Sequence, residues 1–339
     1  MELTWVTFPI IVITVSLLAY YTAYAIKGTD LRINKLDVVD IDTVGHRLRG
    51  TTWATIFSPQ NRDYQVSVSP RLVPSTAEEA QAPAAALATT SDRVSPLPAG
   101  VEAQLTWFGI PERSFGGMNN PNRLGLSTIG YSYEPMGEYQ AISGLRIPIW
   151  SSKRLMARWT ASLSTEAPTL VESELVRIGA DRLGGTVSNR SSLTLRNAIV
   201  AYGNQVWELG DLRPGANVRV ETITNQFLSG YLDRQAAMLR GRSGNQPVSP
   251  GDRLDRGRLA RVMMFRDGME AKSDAPPSRV MRELDLSGLL KLDRPMLVAE
   301  IDGSAAQLLL GGAPSTPKVE QTTLVRWLLP VQAETDSPR

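Results

Sequence analysis

An uncharged apolar run at the amino end constrains the fold of this chain more than any other feature. No side chain between Leu3 and Ile26 carries a charge. In a helix, about 23 residues at ~1.5 Å each span roughly 35 Å, which exceeds the ~30 Å hydrocarbon core of a bilayer. Rings that favour the two membrane interfaces stand near both ends of the run: Trp5, Phe8, Tyr20, Tyr21 and Tyr24. The run predicts a transmembrane anchor over residues 1–27, with the lipid bilayer as a partner of residues 4–26.

Two other interpretations of the run compete with an anchor. Ala23-Tyr24-Ala25 spells a small-x-small cleavage site, but the segment before the apolar run has no Lys or Arg and carries Glu2, which does not suit a signal peptide. A buried core helix would need a polar face, and the run has none. Basic residues follow the span and none precedes it, so the positive-inside rule alone puts the remaining chain in the cytoplasm.

Composition excludes several classes of function. The chain has 339 residues, no cysteine and one histidine, His46, so it has no disulfide, no thiolate metal site and no site with two histidines. Lys and Arg number 36 against 34 Asp and Glu, and the net charge of +2 gives no overall attraction to nucleic acid. We predict no catalytic residue, cofactor, metal ion, nucleic acid or small-molecule ligand.

Beyond the anchor, alternation with a period of two predicts a mainly β protein. Tyr64, Val66 and Val68 alternate with polar residues, and so do the residues from Arg154 to Leu163. These strands belong to a first β-rich domain over residues 28–73 and 101–165. Between its two parts, residues 74–100 are rich in Ala and Pro and lack aromatics, which predicts a disordered linker or insertion.

Five short strands separated by turn signals follow, and they predict an immunoglobulin-like β-sandwich over residues 166–226. The order of motifs from Gly185 to Gly215 resembles adhesion-type sandwich modules of bacterial surface proteins, which are mostly scaffolds and binding surfaces. A helical insertion is predicted over 227–294, with Leu254, Leu259, Val262 and Met263 on one helical face and a second helix over Ser278–Leu290. Closing strands at 295–331 and a polar tail at 332–339 complete the predicted domain order.

Candidate chemistry is sparse, and each candidate has a plainer interpretation. His46 falls between two strands with no nucleophile motif, and is better explained as an exposed loop residue. Asp37, Asp40 and Asp42 lack the spacing of a calcium loop, and alternation separates Asp37 from Asp40. The loop Gly116–Gly130 lacks a phosphate-binding motif. The basic residues of Arg234–Arg266 are interleaved with Asp and predict a solvated helix face, with anionic lipid contact as a minor alternative. Asn189-Arg190-Ser191 spells a glycosylation sequon.

The stretches Glu2–Pro9 and Ala25–Asp42, the block Arg47–Pro59 and the strands of 182–215 together resemble uncharacterised multi-pass membrane proteins of planctomycetes and proteobacteria. In that family the first two stretches enclose the last transmembrane helix, and a β-rich region follows it. The resemblance implies an extracytoplasmic β region, opposite to the charge rule, and no known enzymatic activity. Because the chain begins at the last span, we expect a shortened relative or the product of a split gene.

The sequence therefore predicts a single-pass protein that is not an enzyme. We expect a membrane-anchored scaffold or interaction module at the bacterial cell envelope, with a membrane or envelope protein as its partner. The alternative is a carboxylate-based envelope enzyme or enzyme subunit, such as a glycan hydrolase. That activity would need two carboxylates ~5–9.5 Å apart in one cleft.

Overall fold

The apolar run forms a helix that is exposed along most of its length. The structure is a computed structural model that describes residues 4–74, 102–107, 132–136, 139–162, 170–179, 182–241, 255–265, 284–312 and 316–332. Helix α1 (Thr4–Lys27) contains a window, Val6–Ala25, that is long and apolar enough to cross a membrane by length and composition. None of that window is buried, so the core-helix interpretation does not fit. Most of the predicted linker, the loop Gly116–Gly130 and the tail after residue 332 lie outside the described residues.

The described residues after α1 form a mainly β fold, as predicted. The strands are β1 (Arg32–Asp42), β2 (Arg47–Ser58), β3 (Arg62–Pro74), β4 (Glu102–Trp107), β5 (Ser132–Met136), β6 (Tyr139–Ile147), β7 (Ser151–Ser162), β8 (Val171–Ile178), β9 (Arg182–Asn189), β10 (Leu195–Tyr202), β11 (Gln205–Leu212), β12 (Asn217–Arg219), β13 (Gln226–Phe227), β14 (Met296–Ile301), β15 (Gly303–Gly311) and β16 (Lys318–Leu328). Alternating burial along β1, β2 and β7 matches the period that predicted them.

One large sheet joins strands from distant parts of the chain. Its order is β13-β11-β10-β14-β16-β1-β2-β7-β4-β6-β3-β15, with β5 paired to β6. β1 pairs with β16 in parallel, from Arg32 opposite Lys318 to Asp42 opposite Leu328. Hydrogen bonding therefore continues across the predicted boundaries between the first β-rich domain, the sandwich and the closing strands.

The sheet separates two hydrophobic cores. One face carries Ile33, Val39 and Ile41 of β1 together with Trp159 and Trp327, and it forms the larger core. The opposite face carries Val38 and Leu324 and is covered by two helices and the segment 284–292. On the larger-core face, Gly50 lies directly opposite Trp159, whose indole ring occupies the space that a Cβ at position 50 would need. A glycine in β2 thus provides the room for the buried indole of Trp159.

The strands of the predicted sandwich are divided between two sheets. β12, β9 and β8 form a separate three-stranded sheet, whereas β10 and β11 belong to the large sheet. Val171, Leu175 and Val187 of the small sheet share the larger core with Val200 and Trp207 of the large one. The two sheets therefore enclose common apolar side chains, but β10 also pairs with β14, beyond residue 226.

The helical region agrees with the prediction only in part. It contains α2 (Leu228–Gly241) and α3 (Arg256–Met264). The buried residues of α3 are Gly257, Ala260, Arg261 and Met264, so the predicted face with Leu259 and Val262 is wrong. Met263 of that face is partly buried and packs against the smaller core, and Leu254 lies outside the described residues. Arg261 is buried because it pairs with Glu300 of β14, a partner that helical periodicity does not reveal. In the second predicted helix, 278–283 lie outside the described residues, and 284–292 form turns and a short 3-10 helix.

A buried ion pair connects β15 to β1. Lys35 Nζ lies 2.9 Å from Asp37 Oδ2, with side chains 3% and 1% exposed. Lys35 donates to Ser304 Oγ and to the carbonyl oxygen of Ala306, and Asp37 accepts from the Ala305 N–H at 3.1 Å. β15 pairs with β3 and is the last strand in the sheet order, six places after β1. The side chains of Lys35 and Asp37 therefore join β1 to β15, two strands that are not neighbours in the sheet order.

Candidate functional site

A cleft of about 670 Å³ opens at the end of the sheet that lies farthest from α1 along the strands. It is formed where β1, β7 and β16 end and where β2 and β14 begin. The cleft lies about 30 Å along β1 from the strand start at Arg32, since each residue of a strand advances about 3.3 Å. Its volume is in the range of ligand-binding clefts. We call it the distal cleft.

Two rows of side chains on one sheet face make its floor. Register places Arg326, Asp40, Arg49 and Thr160 opposite one another on β16, β1, β2 and β7. The next row, two residues along each strand, contains Leu328, Asp42, Arg47 and Ser162. Because side chains two residues apart share a face, both rows line the same surface. Leu286 and Leu289 form an apolar wall beside them.

The carboxylates of the floor are held by arginines. Asp40 accepts from Arg49 Nη2 at 2.6 Å and from Arg326 Nε. Arg326 is 4% exposed and also donates to the carbonyl oxygen of Leu284 at 2.8 Å, so it attaches the apolar wall to the floor. Asp42 accepts from Arg294 Nη2 at 2.8 Å.

The balance of charge in the distal cleft is positive. Two lining carboxylates face three lining guanidinium groups, those of Arg47, Arg49 and Arg326. Arg294 adds a fourth positive charge beside the lining through its ion pair with Asp42. Arg47 is exposed at the mouth and makes no ion pair with another described residue. The cleft therefore combines excess positive charge, the hydroxyls of Thr160 and Ser162, and an apolar wall.

The protonation state of Asp42 decides whether this residue could act as a general acid. Burial acts to raise its pKa, but the hydrogen bonds from Arg294 and from the Gly45 and Val44 backbone outweigh burial and lower it. A general acid at neutral pH needs a raised pKa. Asp42 is thus held as a carboxylate, which is an acceptor and not a proton donor.

The three aspartates of β1 divide as alternation predicted. Asp37 is buried in the larger core, whereas Asp40 and Asp42 lie on the opposite face in the distal cleft. Among the described residues, no group of three or more acidic or histidine side chains could hold a metal ion. His46 is exposed in the turn between β1 and β2, with a left-handed backbone (φ 49°), as expected of a loop residue.

The other candidates become structural residues. Every arginine of 234–266 whose side chain is described pairs with a carboxylate: Arg234 with Glu208, Arg256 with Glu320, Arg258 with Asp255 and Arg261 with Glu300. This pairing agrees with a neutralised helix face and not with a nucleic-acid patch. Asn189 is fully buried, and its Nδ2 donates to the carbonyl oxygens of Leu193 and Leu212. The sequon asparagine therefore organises a turn and is inaccessible to glycosylation in the folded chain.

Sequence reasoning missed the distal cleft. The period of two and the short turn after Asp42 were sufficient to bring Asp40 beside Arg49 and Asp42 beside Arg47. The parallel pairing with β16 brings Arg326 from 286 residues away, and no local pattern predicts it. The wall at Leu286 and Leu289 came from a segment that was predicted to be helical.

The comparisons with known proteins give a partial family match. Residues 171–329, 159 of the 339, match the model of a family described as a domain of unknown function, DUF8725. This region contains α2, α3, the small sheet and the strands β10, β11 and β14 to β16. No curated protein matches the chain.

Two solved structures resemble the chain loosely. They are the yeast delta-COP-I mu-homology domain and the same domain complexed with a Dsl1 WxWxV peptide. Each is 8% identical, and the match covers 89% of this chain and 98% of the other. The TM-scores are 0.32 for the free domain and 0.30 for the complex, which is too low to relate folds or functions.

Proposed function

We propose that this chain is a membrane-anchored, non-enzymatic interaction protein of the bacterial cell envelope, and that it holds an acidic, partly apolar peptide segment of a partner in the distal cleft. The observation that carries this proposal is the cleft itself, where arginines outnumber carboxylates beside an apolar wall. The immunoglobulin-like form of residues 166–226 belongs to the same proposal. It is supported by the core that the small sheet shares with β10 and β11.

The chemistry of α1 supports the anchor. Its large side chains are exposed along the helix, among them Phe8 and Leu18 at 70% and 67%. Thr14 and Thr22 each donate a hydroxyl proton to the carbonyl oxygen four residues earlier, at 2.7 Å. Polar groups satisfied within the helix suit a medium without water.

The lining of the distal cleft supports a peptide as the occupant. Arg47 and Arg49 offer planar donors that match carboxylates, and Arg49 keeps 60% of its side chain exposed while paired to Asp40. Leu286 and Leu289 lie beside them and suit apolar side chains. A segment that alternates acidic and apolar residues would satisfy both surfaces.

A binding measurement with designed peptides tests the cleft. The full chain in nanodiscs is titrated with a fluorescent eight-residue peptide alternating Glu and Leu, and with one alternating Lys and Leu. We expect binding of the Glu peptide only. The charge reversal Arg47→Glu should weaken it about tenfold or more, since each charge-assisted contact contributes about 1.5–3 kcal/mol.

Arg182→Glu provides the matched control, because Arg182 is also exposed and lies at the start of β9, outside the cleft. It should leave the affinity for the Glu peptide unchanged. Equal binding of both peptides, or equal loss in both variants, would reject the cleft as the peptide site. A pull-down from detergent extracts with and without Arg47→Glu would then identify the natural partner.

The side of the membrane is a separate part of the proposal. The family plan favours an extracytoplasmic β region, and the basic residues after α1 favour the cytoplasm. We propose the extracytoplasmic side. A reporter that is active on one side only, fused to Arg339, tests this: activity on the cytoplasmic side would reject the proposal.

One observation keeps a glycan hydrolase as the second candidate. Asp40 and Asp42 lie on one face and line the same cleft, as a pair of catalytic carboxylates would. Their arginine partners and the lowered pKa of Asp42 oppose the role of a proton donor. Release of sugar from envelope glycans by the wild type, lost in Asp42→Asn, would favour the enzyme over the interaction module.

A further inference from the structure

Five short segments of the chain form the end of the sheet nearest α1. Residues 28–32, 58–63, 146–154, 311–312 and 316–318 surround the starts of β1, β3, β7 and β16 and the ends of β2, β6 and β15. We call this set the collar. The collar meets the helix through Trp150, whose ring centroid lies 6.3 Å from that of Tyr20 and 6.1 Å from that of Tyr24.

The exposed charge of the collar is mostly positive. Its acidic residues are Asp30 and Asp63. Its exposed basic residues are Arg32, Arg62, Arg146, Arg154 and Lys318. Lys318 pairs with Asp30 at 2.6 Å, whereas Arg62 donates to the carbonyl oxygen of Gly312 and Arg146 to Asn61 Oδ1. Uncharged acceptors do not cancel the charge of those two guanidinium groups.

Trp150 fixes the level of the collar relative to the helix. Its backbone is left-handed (φ 56°), a costly conformation for a bulky residue. A hydrogen bond of 2.8 Å from its N–H to the Ser58 carbonyl oxygen holds the turn in place. Clustered Tyr and Trp rings at a helix end favour the headgroup level of a bilayer. The collar arginines then lie at the depth of the lipid phosphates.

We propose that the collar binds the headgroups of anionic lipids, so that the β part docks on the bilayer surface while the distal cleft faces away. This inference rests on the proposed membrane anchor. Charge complementarity favours an anionic lipid surface, because the excess of basic side chains lies at the exit point of α1. This site is distinct from the arginines of 234–266, of which those with described side chains are paired with carboxylates.

A single label tests the docking, since the chain has no cysteine of its own. Gln60→Cys, exposed in the collar, carries a fluorophore in the full chain reconstituted into nanodiscs with a headgroup nitroxide quencher. The lipid is phosphatidylcholine, alone or mixed with phosphatidylserine. We expect stronger quenching with phosphatidylserine than with phosphatidylcholine alone, and we expect high salt to reverse this increase. A label at Val44→Cys, at the opposite end of the sheet, should stay bright in both lipids.

Two paired variants give the size of the effect. Arg62→Gln with Arg146→Gln should lower the ratio of docked to undocked chain about 25-fold, since each basic side chain near an anionic surface contributes about fivefold. Arg62→Lys with Arg146→Lys should keep docking. Arg158→Gln with Arg234→Gln, the same charge change outside the collar, should also leave docking unchanged.

These experiments distinguish a failure of lipid binding by the collar from a failure of the proposed membrane anchor. Quenching that is equal in both lipids, or absent although the chain resists alkaline extraction from the bilayer, overturns lipid binding and leaves the anchor intact. Protection of the label by an added acidic peptide, without dependence on lipid, also overturns it in favour of a protein occupant. Loss of the chain from the bilayer overturns the anchor together with the collar.

Discussion

At the residue scale, the buried ion pair of Lys35 and Asp37 shows how charged side chains of β1 can hold β15 in place. The pair lies in an apolar core, where the removal of two ions from water is costly unless each is paired and hydrogen-bonded. The hydroxyl of Ser304 and the backbone of Ala305 and Ala306 supply those bonds. One oxygen, Asp37 Oδ1, has no hydrogen-bond partner among the described residues. The ion pair therefore fixes the position of β15 more than it stabilises the core.

Single and double substitutions separate these contributions. Lys35→Met leaves a buried carboxylate without its cation, and Asp37→Asn leaves a buried ammonium without its anion. Each should lower the free energy of unfolding by about 3–5 kcal/mol. The double variant buries no charge, so its loss should be smaller than the sum by 1.5 kcal/mol or more. Denaturant unfolding in detergent measures all three.

The exposed pair of Arg196 and Asp302 is the control, since its side chains are 52% and 57% exposed. Arg196→Met should cost at most about 1 kcal/mol. Strictly additive losses at Lys35 and Asp37 would mean that the two charges do not act as a pair.

Local sequence patterns correctly predicted the face or exposure of several single residues. They missed residues whose role depends on a partner far away in the sequence. The period of two correctly put Asp37 on the opposite face from Asp40, and the turn context correctly made His46 an exposed loop residue. Arg261 was predicted on the outer side of a helix because its partner, Glu300, lies 39 residues away. Asn189 spelled a sequon, and only its burial shows that it is structural.

At the scale of elements, arginine side chains hold strand ends together around the distal cleft. Arg294, just before β14, donates to Asp42 at the end of β1 and to the Leu328 carbonyl oxygen at the end of β16. Three strands are thus joined beyond their backbone ladders. Turn signals predicted five short strands over residues 166–226, and β8 to β12 lie there. The order of the strands depends on such distant pairings, which one sequence does not encode locally.

The pairing of Asp42 predicts a pH dependence of stability. Its pKa in the folded chain is below the ordinary value of 3.8, so the folded state binds fewer protons than the unfolded state between these two values. The stabilisation is therefore complete above that ordinary value and is lost as pH falls through the lower, folded value. Asp42→Asn should cost about 1 kcal/mol or less at pH 7, and this difference should shrink in strongly acidic solution.

Unfolding curves at neutral and acidic pH check this dependence. Asp302→Asn is a suitable comparison, because Asp302 also pairs with an arginine but is 57% exposed. It should change stability little at either pH. A loss in Asp42→Asn that grows on acidification would contradict the assigned direction of the pKa.

At the scale of the whole molecule, the strands separate the two sites that we propose, the collar and the distal cleft. β1 leads from the collar at Arg32 to the distal cleft at Asp42, so one element connects the proposed lipid surface to the proposed peptide site. The sequence predicted the anchor and the mainly β body. It did not predict that parallel pairing of β1 with β16 would unite the first and last β regions in one sheet, because β16 is almost 300 residues away.

Trp150 contacts Tyr20 and Tyr24 of α1, and we expect this contact to set the angle between the helix and the sheet. Trp150→Gly removes the ring contacts with Tyr20 and Tyr24 but also relieves the left-handed backbone, which costs about 1–2 kcal/mol in a non-glycine residue. We therefore expect an unchanged or slightly higher unfolding free energy together with a wider range of tilt between α1 and the sheet.

Spin labels at Ser16→Cys and Val44→Cys, in a chain free of other cysteines, measure that range as a distance distribution in nanodiscs. The distribution should broaden in Trp150→Gly and stay narrow in Ile149→Ala, which alters the exposed neighbour in the same turn. An unchanged distribution in Trp150→Gly would mean that the aromatic contact does not orient the molecule. A drop of about 2 kcal/mol or more in unfolding free energy would instead make Trp150 a residue of folding stability, because the relieved backbone would not have offset the lost packing.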